Sequence, residues 1–193
     1  MSRISRSARR NRKRHETNCV VIQASGSMTA SGLREAMFNV ASSFAPCDIY
    51  AHDEGRILYC GHMATEHAYG QDTVLFPMTG SEDIDPTFHL IGFALDYQQV
   101  IFVDDSEAII DVLKDCKEAA KKLRMVTKLA PIRGVLVRNF SGIALSRIQD
   151  YAGIAEKAGV ELSFFTCESF GVYSRHTGHL ETFYPYGFIT LEE

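Results

Sequence analysis

The sequence predicts an α/β fold built on a mostly parallel sheet. Short apolar runs alternate with longer segments of helical period, the pattern of strands joined by helices. Three of the runs, 19–22, 100–103 and 135–137, are continuously apolar, as expected of parallel strands covered on both faces. The 193 residues, 46% hydrophobic and 23% charged, fit one folded domain and exclude a disordered, coiled-coil or collagen-like chain.

The first half of the chain predicts three strands and one helix. The strands cover 19–22, 48–51 and 56–60, and the helix covers 31–44. Pro46 ends the helix because proline lacks a backbone donor and disfavours helix in the residue before it. Gly55, between the second and third strands, favours a β-hairpin. Residues 61–82 lack a regular period and predict a long irregular connection.

The second half predicts three helices and three further strands. One helix has Asp85 as its N-cap and Pro86 as its first residue, one covers 106–128, and one is capped by Ser141 and ends at Gly159. The strands cover 100–103, 135–137 and 160–165. The aromatic segment 171–191 is expected to form a hairpin-like extension packed on the sheet.

Charge separates a basic arm, residues 1–16, from the domain, residues 17–193. The arm carries +6 and the rest of the chain −10. A segment so poor in apolar residues is expected to be flexible on its own. Two interpretations stay open: a polyanion-binding arm for nucleic acid or an acidic protein surface, and a solubility tail or an arm that self-associates with the acidic domain. The cationic residues are Arg3, Arg6, Arg9, Arg10, Arg12, Lys13 and Arg14.

The compartment is predicted from what the sequence lacks. No apolar run approaches the roughly 20 residues that cross a bilayer, and the basic N-terminus lacks the apolar stretch of a signal peptide. The five cysteines are widely spaced and form no CxxC pair, which favours buried thiols in a reducing compartment. We expect a cytoplasmic protein that does not enter a membrane.

Polar residues follow two of the apolar strands. Gln23, Ser25 and Ser27 come after the first strand, and Asp104 and Asp105 end the fourth. In an open parallel sheet the ligand site lies beyond the carboxyl ends of the strands, near the point where the strand order reverses. Hydroxyl and carboxylate oxygens are ligands that Mg²⁺ prefers. The sequence therefore places its candidate site at this edge.

Three segments resemble von Willebrand factor A-type (VWA) domains. Residues 20–28, Val-Val-Ile-Gln-Ala-Ser-Gly-Ser-Met, followed by an amphipathic helix, resemble their first strand and DxSxS loop. Residues 79–88 and 100–105 resemble the Gly/Thr-rich loop, helix and strand-plus-aspartate that complete the metal site in the bacterial branch. The resemblance covers roughly residues 18–168. It implies a Rossmann-like three-layer sandwich.

The resemblance also implies a metal-ion-dependent adhesion site. It assigns Ser25, Ser27 and Asp105 as ligands, with Glu82 roughly in place of the family's threonine. Gln23 stands where the family has its first aspartate, and an amide attracts a cation less than a carboxylate does. The expected cofactor is therefore none, or a weakly bound Mg²⁺. Alternatively, residues 25–27 form a tight turn whose hydroxyls cap the next helix.

Three functions follow from these observations. The first is a non-catalytic VWA-like domain that docks a protein partner at the carboxyl edge of the sheet. The resemblance implies that it works beside an AAA+ ATPase of the MoxR type. The edge residues are Gln23, Ser25, Ser27, Glu82, Asp104 and Asp105. The second is binding of DNA or RNA through the basic arm. The third is a metal-dependent hydrolase at the aspartate pair, but neighbouring strand residues point to opposite faces, and neither a P-loop nor a Gly-x-Ser-x-Gly motif is present. Catalysis is not expected. The oligomeric state stays open.

Overall fold

The computed structural model describes residues 15–23, 31–53, 56–64, 86–104, 108–138, 140, 143–166 and 187–188. The strands are β1 (Asn18–Gln23), β2 (Cys47–Asp53), β3 (Arg56–Met63), β4 (Val100–Asp104), β5 (Ile132–Arg138), β6 (Val160–Thr166) and β7 (Gly187–Phe188). The helices are α1 (Ser31–Ser42), α2 (Thr87–Asp96), α3 (Ala108–Asp115), α4 (Lys117–Val126) and α5 (Leu145–Lys157).

One seven-stranded sheet has the order β3-β2-β1-β4-β5-β6-β7. Strands β2, β1, β4, β5 and β6 run parallel, whereas β3 is antiparallel to β2 and β7 is antiparallel to β6. The predicted α/β class, the neighbouring positions of β1 and β4, and the β2–β3 hairpin are confirmed. The strand order reverses between β1 and β4, which makes this pair the switch point of a Rossmann-like sheet.

The sheet separates two apolar cores. On one face, Val20 and Ile22 pack with Met37 and Val40 of α1. On the other face, the alternate residues of the central strands pack with α2, α3, α4 and α5. This core includes Cys19 and Val21 of β1, Phe102 of β4, Leu90 of α2 and Leu123 of α4. Helices thus cover both faces of the central strands, which explains why the sequences of those strands are continuous apolar runs.

The predicted helix 106–128 is wrong in one respect, because it is two helices. Cys116 has φ −107° and ψ 89°, which no α-helical residue adopts. The break lets Ile109 and Leu113 of α3 and Leu123 of α4 all reach the same core. No glycine or proline marks it in the sequence, so tertiary packing overrides helix propensity here.

The ends of other elements also differ from the prediction. Helix α1 ends at Ser42, and β3 continues to Met63, three residues into the predicted irregular connection. The N-caps are Pro86 for α2 and Ala144 for α5, neither with a side-chain hydrogen bond. Pro86 thus lies one position before its helix, and the predicted caps Asp85 and Ser141 are wrong. Such shifts of a residue or two at element ends are common.

Several predictions fall where the structure describes little or nothing. The arm up to Arg14 lies outside the described residues, and so does most of the connection 61–82. Of the predicted C-terminal hairpin 171–191, only Gly187–Phe188 is described, as β7. The domain boundary at residue 17 stays a prediction. None of the described helices has the length and apolar character needed to cross a bilayer.

Candidate functional site

Three polar side chains lie at the carboxyl ends of neighbouring strands, and we call them the polar row. They are His52 of β2, Gln23 of β1 and Asp104 of β4, with exposed fractions of 0%, 2% and 0%. Nearly every other fully buried side chain of the described sheet is apolar. Because polar groups are costly to bury, a row of them at the switch point marks this edge as the candidate site.

Strand alternation places the polar row on one face of the sheet. Gln23 follows Cys19 and Val21 at intervals of two, and Asp104 follows Phe102 in the same way. The two strands are in register up to the pair Ile22 and Val103, so Gln23 and Asp104 stand level on adjacent strands. Gln23 also pairs in register with His52 on the other side. The face is the one that α2 covers.

A hydrogen bond joins two members of the row. The Nδ1 atom of His52 lies 2.7 Å from Oε1 of Gln23, and because an amide oxygen only accepts, Nδ1 carries the proton and donates. The residue that the VWA resemblance puts in place of the first aspartate therefore serves here as the acceptor for a buried histidine. Its oxygen is directed along the row rather than out of the sheet edge.

The first turn of α2 covers the row. Thr87, the first residue of α2, is buried, and the ring of His89 lies 5.5 Å from that of His52 at an interplanar angle of 62°. Phe88, which lies between Thr87 and His89 in the sequence, is 80% exposed and packs edge-on against His89. The edge therefore presents a large apolar ring to solvent above a buried polar layer.

The structure places two of the six predicted edge residues. Gln23 and Asp104 lie at neighbouring strand ends, as expected. The other four, which are also the four predicted metal ligands, lie outside the described residues: Ser25, Ser27, Glu82 and Asp105. Within the described part of the chain, no group of three or more His, Cys, Asp or Glu side chains could hold a metal ion. The seven cationic residues of the arm also lie outside that part.

Sequence reasoning missed the histidines of the site. The predicted second strand ends at residue 51, yet β2 continues to Asp53 and buries His52. The signal was present, since Asp48, Tyr50 and His52 alternate with the apolar Ile49 and Ala51. His89 carries no comparable signal, because its place over His52 depends on how α2 packs.

The thiols of β1, β2 and β3 are poorly suited to chemistry. Burial, with a smaller contribution from the charge of Asp48, raises the pKa of the Cys47 thiol to about 12. Burial likewise raises the pKa of Cys60 to about 11 and shifts that of Cys19 upward. Since the thiolate is the nucleophile and metal ligand, these cysteines behave as apolar core residues at neutral pH.

Comparisons with known proteins find no match for this chain. No family model, no curated protein and no solved structure matches it.

Proposed function

We propose that this chain is a non-catalytic, cytoplasmic interaction domain of the VWA-like type, which docks a protein partner at the carboxyl edge of its sheet. The observation that carries the proposal is the polar row at the switch point. Buried apolar side chains in these three positions would stabilise the fold more than Gln23, His52 and Asp104 do. Their presence at this edge is therefore explained better by function than by folding.

The row supports the docking edge from beneath. Its side chains are too buried to touch a partner, but they end β1, β2 and β4 directly before the connecting segments that follow. In the proposal Ser25 and Ser27 after β1, Asp105 after β4, and Glu82 in the connection before α2 make the direct contacts. Binding residues are commonly found on loops held by a rigid sheet.

The described geometry favours docking over catalysis. His52, the histidine of the row, is fully buried, and its Nδ1 proton is directed at Gln23. A general base has to come within hydrogen-bond reach of a substrate proton, whereas this histidine faces other side chains. The proposed partner is a protein such as an AAA+ ATPase of the MoxR type, and any Mg²⁺ at the edge is weakly held.

The test measures binding of a purified MoxR-type ATPase from the same host, by biolayer interferometry with and without Mg²⁺. Ser27→Arg and Asp105→Arg place bulky cations at the edge and are expected to weaken binding at least tenfold. Lys121→Glu changes an exposed charge on α4 and serves as the control, with unchanged affinity. Circular dichroism confirms that all three variants fold. Absence of binding, or equal affinity of edge and control variants, contradicts the proposal.

A further inference from the structure

A group of aromatic and histidine side chains lies at the other end of α2, away from the polar row. We call it the aromatic patch: His15, Tyr50, Tyr59, His62 and Tyr97. Tyr97 directly follows α2 and precedes β4, so the patch sits towards the amino ends of β1 and β4. The docking proposal makes no use of it.

The rings of the patch contact one another in a continuous series. His15 stacks on Tyr97 with centroids 4.6 Å apart and planes 15° apart. Tyr50 packs edge-on against Tyr97 at 6.3 Å and against Tyr59 at 5.3 Å. Aromatic pairs prefer these offset and edge-on arrangements, so packing holds the rings in fixed orientations.

Asp48 orients the patch through both of its carboxylate oxygens. The Tyr97 hydroxyl donates to one oxygen at 2.8 Å, and Nδ1 of His62 lies 2.8 Å from the other. The hydroxyls of Tyr50 and Tyr97 are 2.7 Å apart. Burial is the first cause that raises the pKa of both tyrosines, so they stay uncharged. The Asp48 side chain is 15% exposed.

Part of the patch faces solvent. Tyr59 is 61% exposed, the His62 side chain is 43% exposed, and His15 is exposed as well. These exposed rings are held on a rigid support, so a ligand can reach them without rearranging the patch. They are also the surface on which bases of nucleic acids stack.

The basic arm joins the domain at this patch. The backbone N–H of His15 donates to the carbonyl oxygen of Asp96 at 2.8 Å, which fixes the residue directly after seven cationic side chains in fourteen positions. The arm is therefore joined to the domain at the residue that stacks on Tyr97. An aromatic surface next to a dense positive charge complements a chain that carries both bases and phosphates.

We infer that the aromatic patch binds single-stranded nucleic acid: bases stack on Tyr59 and the exposed histidine rings, and the positive charge of the arm attracts the phosphates. A single strand fits better than a duplex, because bases in a duplex already stack on one another and hide their faces. An acidic protein would bind the positive charge of the arm, but the aromatic rings would add little to its affinity. This inference does not depend on docking at the carboxyl edge, which lies at the opposite end of α2.

The experiment compares two fluorescein-labelled probes with the full-length protein by fluorescence anisotropy. One is oligo(dT) of about 15 nucleotides, and the other is an abasic strand of the same length, which keeps the phosphates and removes the bases. Stacking predicts that oligo(dT) binds at least about fivefold more tightly than the abasic strand. A duplex of the same length carries more phosphate charge but hides its base faces, so it is expected to bind less tightly than oligo(dT).

Substitutions at Tyr59 separate stacking from charge. Tyr59→Leu removes the π-face and is expected to weaken oligo(dT) binding about fivefold or more while leaving the abasic strand unaffected. Tyr59→Phe keeps the ring and retains the affinity. Phe88→Leu removes an even more exposed ring at the other edge and is the matched control. Replacing the seven cationic residues of the arm by glutamine lowers the affinity for both strands.

Four results would overturn the inference. They are equal affinity for oligo(dT) and the abasic strand, equal effects of Tyr59→Leu and Phe88→Leu, tighter binding of the duplex, and no binding of any probe at low salt. Sedimentation of the wild type and of Tyr59→Leu adds a fifth check. If the substitution dissociates a dimer instead of weakening oligo(dT) binding, the patch contacts a second copy of this chain and the inference is wrong.

Discussion

Replacing Gln23 by leucine tests whether the polar row is held together by its hydrogen bond. The substitution keeps a side chain of similar size in a position that is 2% exposed, and it removes the oxygen that accepts the proton of His52 Nδ1 at 2.7 Å. The donor then stays buried without this acceptor. Leaving a buried donor unsatisfied costs roughly 1–3 kcal/mol of unfolding free energy.

For a chain of 193 residues, each kcal/mol lowers the melting temperature by about 2–4 °C. Gln23→Leu is therefore expected to melt roughly 2–12 °C below the wild type, as measured by circular dichroism and by urea unfolding. Gln98→Leu is the matched control, because Gln98 is exposed and surface substitutions change stability by no more than about 0.5 kcal/mol.

The double variant Gln23→Leu with His52→Leu completes the cycle. If the bond exists, the second substitution costs less in the presence of the first, with a coupling energy of about 0.5–3 kcal/mol. Additive effects within about 0.5 kcal/mol, or a Gln23→Leu protein as stable as the wild type, would refute the reasoning. In that case Gln23 and His52 do not act as a unit.

Three further predictions concern metal, thiols and backbone. Millimolar Mg²⁺ should change the melting temperature little, and a large shift that Ser25→Ala abolishes would contradict the weak site. Ellman's reagent should modify the exposed Cys116 quickly and Cys47 only on unfolding. The folded Cys47 thiol keeps its proton up to about pH 12, whereas the unfolded one ionises near pH 8.5, so the free energy of unfolding should fall as the pH rises through this window. A free energy of unfolding in urea that does not change with pH over this window would refute the prediction. Gly159→Ala should destabilise the fold by more than about 1 kcal/mol, since Gly159 has φ +75° and an added Cβ would lie 2.7 Å from a threonine hydroxyl. Gly92→Ala should stabilise the fold by roughly 0.5–1 kcal/mol, because an added Cβ in α2 would have nothing within 4 Å. Equal melting temperatures of the two variants would contradict both predictions.

The sheet was predictable because burial on two faces leaves a strong trace. The runs containing Ile22, Val103 and Val137 are apolar at every position, and each is a central parallel strand of the structure. Once β1 and β4 are recognised, the general rule for parallel sheets places Gln23 and Asp104 at one edge. This much of the site follows from local sequence.

Features that depend on packing between distant segments were not predictable. The break at Cys116 has no local signal, because α3 and α4 separate only to cover the same core from two directions. The contact of His15 with Tyr97 joins residues far apart in the chain. His89 was missed for the same reason, since α2 brings it over His52, whereas His52 lies in an alternating pattern that the sequence does show.

If a partner docks at the switch point as proposed, the meeting of β1 and β4 there makes folding and partner binding depend on each other. Cys19 pairs with Val100, so strands roughly 80 positions apart must be brought together before they stabilise the sheet. A partner that contacts the segments after both strands holds these distant parts in place. At a partner concentration of 100 times Kd, such binding adds about 2.7 kcal/mol to stability. Copies without a partner unfold more often and are degraded sooner, so the cellular amount of this protein would follow the amount of its partner.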